Sequence, residues 1–133
     1  MATTIRPAGD DDIDTMARLL ARAFRSDPVM QHIVPTAGRV DRMRRYYTTD
    51  LRLNHMPAGV VDVAVADDTI VGVAVWDPPQ SGDRSIRQSL RALPTLVSVL
   101  GLRLPAAIEA RRRFDEAHPR EPHWYMCLLA TVP

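Results

Sequence analysis

Lysine is absent, and all 17 basic residues are arginine. The 16 acidic residues nearly cancel them and leave a formal net charge of +1, so no strong pull on nucleic acid or on a membrane surface is implied. The arginine-only usage reads as coding bias and not as a phosphate-binding signature. Cys127 is the single cysteine, which excludes a disulfide within these residues. The start, Met1 to Arg6, has no long apolar run behind a basic segment, so no secretory leader is expected. No uninterrupted apolar run approaches the ~20 residues of a membrane span. The expected setting is the cytoplasm, with neither membrane nor nucleic acid as a partner.

What is present is the composition of one folded domain over residues 1–133. Hydrophobic residues make up 46% and charged residues 25%, enough to bury a core. Ile5-Arg6-Pro7 is a short candidate strand. Residues 10–24 read as a helix, with Ile13, Met16, Leu20 and Phe24 on one face. Asp10, Asp11, Asp12 and Asp14 crowd its start and Arg18, Arg22 and Arg25 its end, the order the helix dipole favours. Ser26-Asp27-Pro28 then breaks the pattern, with Asp27 a good cap and Pro28 a good first helical residue.

Residues 39–54 predict a second long helix with the stripe Val40, Met43, Tyr47 and Leu51, ended by Met56-Pro57-Ala58-Gly59. The apolar period then falls from 3.6 to 2. Residues 60–65 and 70–76 are two strands around the turn Asp67-Asp68, a hairpin. Residues 77–83, with Pro78, Pro79 and Gly82, predict a loop. Residues 85–117 are helical but carry Pro94 and Pro105, so two or three short helices are expected. Leu90, Leu93, Val97 and Leu100 are their expected packing residues, with Ile108 and Phe114 in the last. Residues 123–132 form a strand with almost no polar relief, which expects cover on both faces and neighbours on both edges. The order is strand, two helices, hairpin, helices, buried strand. An α/β (α+β) domain follows, with one mixed, mostly antiparallel central sheet and helices packed on it.

Three strings carry a resemblance. They are Ala23-Phe24 with Asp27-Pro28, Val71-Gly72-Val73-Ala74-Val75-Trp76 ahead of a proline loop, and Pro119-Arg120-Glu121-Pro122-His123-Trp124-Tyr125-Met126. In this order and spacing the chain resembles the N-terminal two-thirds of the GNAT superfamily of N-acetyltransferases, in particular its puromycin N-acetyltransferase-like branch. The resemblance implies a GNAT-like acyl-CoA N-acyltransferase fold, incomplete at the C-terminus, with acetyl-CoA as co-substrate. It implies that the last strand pairs its backbone with the pantetheine arm, and by position Leu129, Ala130, Thr131 and Val132 make those contacts. It implies a small-molecule amine as acceptor, bound near Phe24, Asp27, Trp76, Trp124 and Tyr125. The family's pyrophosphate loop, patterned Gln/Arg-x-x-Gly-x-Gly/Ala, has no counterpart among the six glycines, no two of which lie two residues apart. The expected molecule is therefore a truncated N-acetyltransferase portion, inactive or weak by itself.

Acyl transfer to an amine needs a base, a donor for the developing oxyanion and an acid for the leaving thiolate. A backbone N–H near Leu129 or Ala130 suits the oxyanion. No catalytic base is singled out: Asp27 and Asp77 are loop candidates, and His123 is a lesser one. Each residue also has a plainer reading. Asp27 caps a helix, Trp76 and Trp124 pack, and Cys127 is a small core residue without a histidine or helix-end partner in the sequence. The four histidines lack metal-ligand spacing, so no metal site is expected. Arg111-Arg112-Arg113 is a solvated helix face beside Asp115 and Glu116. The competing expectation is a non-catalytic binding or regulatory module derived from the same fold. A bare edge on the last strand also predicts self-association through residues 125–132.

Overall fold

The alternating segment folds as the hairpin its pattern demands. Strands β2 (Val60–Ala66) and β3 (Thr69–Asp77) are antiparallel and joined by Asp67-Asp68, at φ 50° and 59°. Two consecutive left-handed residues make the turn whose twist matches that of the strands. Strand β1 (Thr3–Pro7) pairs with the far side of β2, and β4 (Tyr125–Thr131) with the far side of β3. The sheet order is β1-β2-β3-β4, antiparallel throughout. The structure, a computed structural model, describes residues 2–58, 60–79 and 86–132. The expected loop beyond Pro79, with Gly82, and the expected helix start at Ser85 lie outside the described residues, as does Gly59.

Helices cover one face of the sheet. A 3-10 turn (Asp10–Asp12) leads into α1 (Ile13–Ala23), followed by α2 (Pro28–Ile33), α3 (Arg39–Asp50) and the short α4 (Met56–Ala58). After the hairpin come α5 (Ile86–Leu100), a 3-10 turn (Gly101–Arg103) and α6 (Leu104–Ala117). The core joins Met16 and Leu20 of α1, Met43 and Tyr47 of α3, and Val63, Val73 and Val75 of the sheet. A fully buried side chain of this size contributes roughly 1.5–3 kcal/mol. On the opposite sheet face Ile5, Val60 and Leu129 are exposed; β2 and β3 carry the in/out alternation of a sheet covered on one side, whereas every residue of β1 is exposed.

Four expectations change. The helix over 39–54 is regular only to Asp50, then widens into a π-helical turn (Leu51–His55) in which the Met56 N–H donates to the Leu51 carbonyl, five residues back. The cause lies in the stripe Met43, Tyr47, Leu51, His55. Each four-residue step overshoots an α-helical turn by about 40°, so three steps would carry His55 off the buried face. The wider turn rotates less per residue and returns it inward. Pro94 does not break its helix, because α5 runs 15 residues through it. Its buried face is therefore Leu96, Val99 and Leu100, and Leu90, Leu93 and Val97 stay exposed. Ile108 and Phe114 are likewise exposed, as is Val40. Finally, β4 starts at Tyr125 and has one neighbour, β3, among the described residues. Ala130 is its one fully buried apolar residue.

The stretch Ser89–Ala117 is long and apolar enough, by length and composition, to cross a membrane. It folds instead as parts of α5 and α6 around the 3-10 turn, where Gly101 takes φ 53°. Neither helix reaches the ~20 residues a span needs. Arginines tie these helices to the rest. Arg42 donates to the Ser98 and Val99 carbonyls at 3.1 and 2.7 Å, and Arg103 to those of Gln31 and His32 at 3.1 and 3.0 Å. Each fork satisfies carbonyls that a helix end leaves without partners.

Candidate functional site

A chain of polar side chains runs through the end of the sheet. The π-turn points His55 into the interior, where the residue is only 5% exposed. Its Nε2 lies 3.0 Å from Oδ2 of Asp50, the last residue of α3, and its Nδ1 lies 3.3 Å from Oδ1 of Asp77, the last residue of β3. The other oxygen of Asp77 accepts the Cys127 thiol at 2.7 Å, and the other oxygen of Asp50 accepts the Asn54 amide at 2.7 Å. Two backbone irregularities build this chain. The π-turn supplies His55, and a register shift supplies Cys127. Val75 pairs with Leu128 and Trp76 with Met126, which puts Cys127 at the bulge between these two pairs. A bulge of this kind re-aims a side chain.

The electrostatics follow from the two carboxylates. A neutral imidazole donates from one nitrogen; an imidazolium donates from both. Burial favours the neutral ring, but hydrogen bonds to Asp50 and Asp77 outweigh it and raise the His55 pKa to about 9. His55 is therefore a buried cation near neutral pH, clamped by two anions. That state suits an electrostatic anchor and not a general base. His55, Asp77 and Cys127 also place one nitrogen, one oxygen and one sulfur within 4.8 Å of one another, a donor set zinc accepts. In this structure the three atoms satisfy one another by hydrogen bonds.

Asp50 belongs to a second feature as well. A cavity of about 640 Å³ lies between α2, α3, α5 and α6, and Asp50 lines it. Tyr46, Thr49 and Asn54 share this lining from the same face of α3 and the turn after it. Val29 and Ile33 of α2, Leu96 of α5, and Leu104 and Ile108 of α6 supply aliphatic walls. The contacts of Arg42 and Arg103 hold those walls, because they fasten α3 to α5 and the turn that opens α6 to α2.

The residues expected from sequence fall in three places. Leu129, Ala130 and Thr131 lie in β4, paired with Ala74, Val73 and Gly72, and the Val132 N–H donates to the Val71 carbonyl at 2.9 Å. In an antiparallel strand alternate residues direct their N–H and C=O to the other side, and on that side β4 has no ladder among the described residues. Trp76, Trp124 and Tyr125 gather at the start of β4. Trp76 pairs with Met126, Trp124 is 58% exposed, and Tyr125 meets the His118 ring edge-on at 4.3 Å. Phe24 and Asp27 lie at the α1–α2 turn. Phe24 packs against the core beside Tyr47, and Asp27 caps α2 by accepting the Met30 N–H at 3.1 Å. None of these five lines the cavity. His123 points Nδ1 at the Glu121 carbonyl, 2.7 Å away. Sequence reading placed Asp77 among its candidates but missed Asp50 and His55, and it gave Cys127 no partner. The available signal was a histidine continuing the apolar stripe Met43, Tyr47, Leu51.

An antiparallel sheet with helices on one face, and with β4 presenting a backbone edge, defines the class of acyl-CoA N-acyltransferase-like folds. Comparison with solved structures agrees. The chain matches a histone acetyltransferase HPA2 and related acetyltransferase from Corynebacterium glutamicum ATCC 13032 with a TM-score of 0.72 and 27% identity. The match covers 99% of this chain and 61% of that one, so the chain spans about three-fifths of its neighbour's length. An N-acetyltransferase from Staphylococcus aureus Mu50 matches over 59% of this chain and 44% of its own, at 15% identity and a TM-score of 0.38, too low to add to the assignment. No family model matches. The chain is a relative of the GNAT superfamily.

Proposed function

We propose that this chain is part of a soluble, cytoplasmic N-acetyltransferase that moves an acetyl group from acetyl-CoA to a primary amine of a small molecule. The observation that carries this reading is the match of 99% of the chain to an acetyltransferase at a TM-score of 0.72. The resemblance of the strings around Asp27, Trp76 and Trp124 to the puromycin N-acetyltransferase-like branch supports the choice of a small amine.

The residues at β4 fit the arm of acetyl-CoA. Of the four expected residues, Leu129 and Thr131 turn their backbone groups to the edge of β4 that no other described strand covers, while Ala130 and Val132 turn theirs to β3; an extended amide-bearing arm can add to such an edge as a strand does. Acetyl-CoA supplies an activated thioester. In the overall reaction the amine nitrogen bonds to the acetyl carbon, the carbon–sulfur bond breaks, and a proton leaves the amine as another joins the thiolate. The Leu129 backbone N–H would stabilise the carbonyl oxygen as charge builds, whereas the Ala130 N–H is directed to β3. Trp76, Trp124 and Tyr125 would flank the acceptor at the start of β4. Asp50, His55 and Asp77 would set the local field, with two carboxylates around one imidazolium.

The test is amine-dependent thiol release from acetyl-CoA by the product of the complete reading frame that contains these residues. A panel of aliphatic and aromatic primary amines and a lysine peptide is incubated with acetyl-CoA, and free thiol is read with a chromogenic reagent. Release with small amines, lost on substituting Leu129→Pro, which removes an N–H facing the open edge, is the expected result. No release with any amine, together with no heat of acetyl-CoA binding, would overturn the reading.

A further inference from the structure

We propose that the outward face of α5 and the 3-10 turn after it dock on an anionic lipid surface, with Leu90, Leu93, Val97 and Leu102 in its apolar layer and Arg87 and Arg91 at its headgroups. The proposal goes beyond acetyl transfer and does not depend on it.

The first observation is an apolar stripe that faces water. Leu90, Leu93 and Val97 recur at i, i+3 and i+7 on α5. They are 61%, 44% and 50% exposed, while Leu96, Val99 and Leu100 of the same helix pack on the core. Leu102, in the turn that follows, is fully exposed. A core helix can be as apolar as a membrane helix, but it is buried. In the stretch Ser89–Ala117 only 11% of the most apolar window is buried, so a place in the core does not account for its composition. A helix too short to cross a bilayer can still lie in its surface plane, apolar side inward.

The second observation is charge. The formal net charge of +1, which argued against a membrane partner, averages over an uneven distribution. No Asp or Glu occurs between Asp83 and Glu109. Arg87 and Arg91 lie one turn apart beside the stripe, and both are exposed. Among the described residues neither has an ion-pair partner. Ser98, two turns after Arg91, accepts a hydrogen bond from Arg45 of α3, which adds a third cation to this flank. Asp41 of α3 is engaged with Arg44, and the three carboxylates of α6 with Arg111, Arg112 and Arg113.

The two features together select the partner. Arginine lays its stem along apolar surface and keeps its guanidinium at the polar level, where it meets phosphate. The stripe itself is aliphatic and offers no hydrogen-bonding group to a nucleic acid or an acidic protein. A bilayer surface supplies acyl chains for the stripe and phosphodiesters for the arginines.

The experiment is vesicle co-sedimentation of the product of the complete reading frame that contains these residues. The probes are vesicles of phosphatidylcholine and vesicles that mix it equally with phosphatidylglycerol. Binding to the anionic vesicles should be at least tenfold tighter and should be lost in ~1 M salt. Arg87→Gln with Arg91→Gln should weaken it about thirtyfold. Leu90→Gln with Leu102→Gln should weaken it at least tenfold with an unchanged melting temperature, because both side chains are exposed. Arg18→Gln with Arg22→Gln removes the same charge from the exposed side of α1 and should leave binding nearly unchanged. Equal binding to both vesicles, binding that survives either α5 pair, an equal loss in the α1 control, or no binding overturns the proposal. So does a dimer in light scattering that Leu90→Gln with Leu102→Gln dissolves while vesicles are ignored, which would give the face to a second copy. Vesicle binding without thiol release refutes acetyl transfer alone. Thiol release without vesicle binding refutes the lipid docking alone.

Discussion

Raising the pH from 6 to 10 should remove a defined share of this fold's stability. In the folded chain His55 holds its proton to a pKa of about 9, against 6.5 for an unperturbed histidine. Its folded value is raised, so its contribution is complete below pH 6.5, where both states carry the proton. It declines as the unfolded chain deprotonates first and is gone above about pH 9. The gap of some 2.5 pH units corresponds to roughly 3 kcal/mol, lost at about 1.4 kcal/mol per pH unit. That is a large share of the 5–15 kcal/mol typical of a domain. Urea unfolding followed by far-UV circular dichroism at unit pH steps measures it. With a urea slope of about 1–3 kcal/mol per molar, the midpoint should fall by about 1–3 M across the window. His55→Gln should flatten this dependence. It should also lower stability at pH 6 by about 3 kcal/mol, because Asp50 and the part-exposed Asp77 then lose the imidazolium between them. If that variant is too unstable to measure, Asp77→Asn removes one clamp and should narrow the window from its upper end. A wild-type stability that is level, or that rises, between pH 6.5 and 9 would refute the imidazolium assignment.

Other outcomes follow from single features. Asp27→Ala should lower stability by about 1 kcal/mol through the lost cap on the Met30 N–H, with no change in the KM for any amine; a raised KM would return Asp27 to the acceptor site. Leu20→Ala, at a side chain with no exposure, should cost about 2–5 kcal/mol in the same unfolding assay. Equimolar Zn²⁺ at pH 6.5 should move the melting temperature by less than about 1 °C, because a protonated His55 ring offers no lone pair. A rise of more than about 3 °C would identify His55, Asp77 and Cys127 as metal ligands. The uncovered edge of β4 should pair with a second copy of the isolated 133-residue chain; a monodisperse monomer by light scattering at high concentration would contradict that.

The parts of the fold that sequence made legible are those where a local pattern and its tertiary role coincide. The alternation through Val61, Val63, Val73 and Val75 marks the buried face of the hairpin, and all four are buried. Ile13, Met16 and Leu20 recur at helical spacing and form the centre of the core. Where the pattern was broader than the cover available, reading failed. In α5 the apolar residues spread around more of the helix than α3 and its neighbours can bury. Leu90, Leu93 and Val97 share a period with Leu100, yet they stay exposed while Leu100 is buried. Pro94 misled in the other direction, since a proline inside a helix costs a hydrogen bond without always ending the helix.

The candidate site was less legible because its assembly depends on two departures from regular geometry. No helical periodicity lets residue 55 reach both residue 50 and the far end of β3; the π-turn does that. No strand alternation gives Cys127 a polar neighbour; the shift between Val75 and Trp76 does. Both irregularities cost regular hydrogen bonding, and both converge on the same charged group. Asp77 stands between them, with one oxygen toward His55 and the other toward Cys127. An imidazolium buried to this degree is tolerated only while its anions are in place, so the π-turn, the bulge and the charge cluster are interdependent. Removing Asp77 should therefore relax all three together. Hydrogen exchange on Asp77→Asn should show faster exchange both at Met56, whose N–H closes the π-turn, and at Leu128, which follows the bulge. Acceleration at one without the other would mean that the two irregularities arise independently, and that the buried cation is not what holds them.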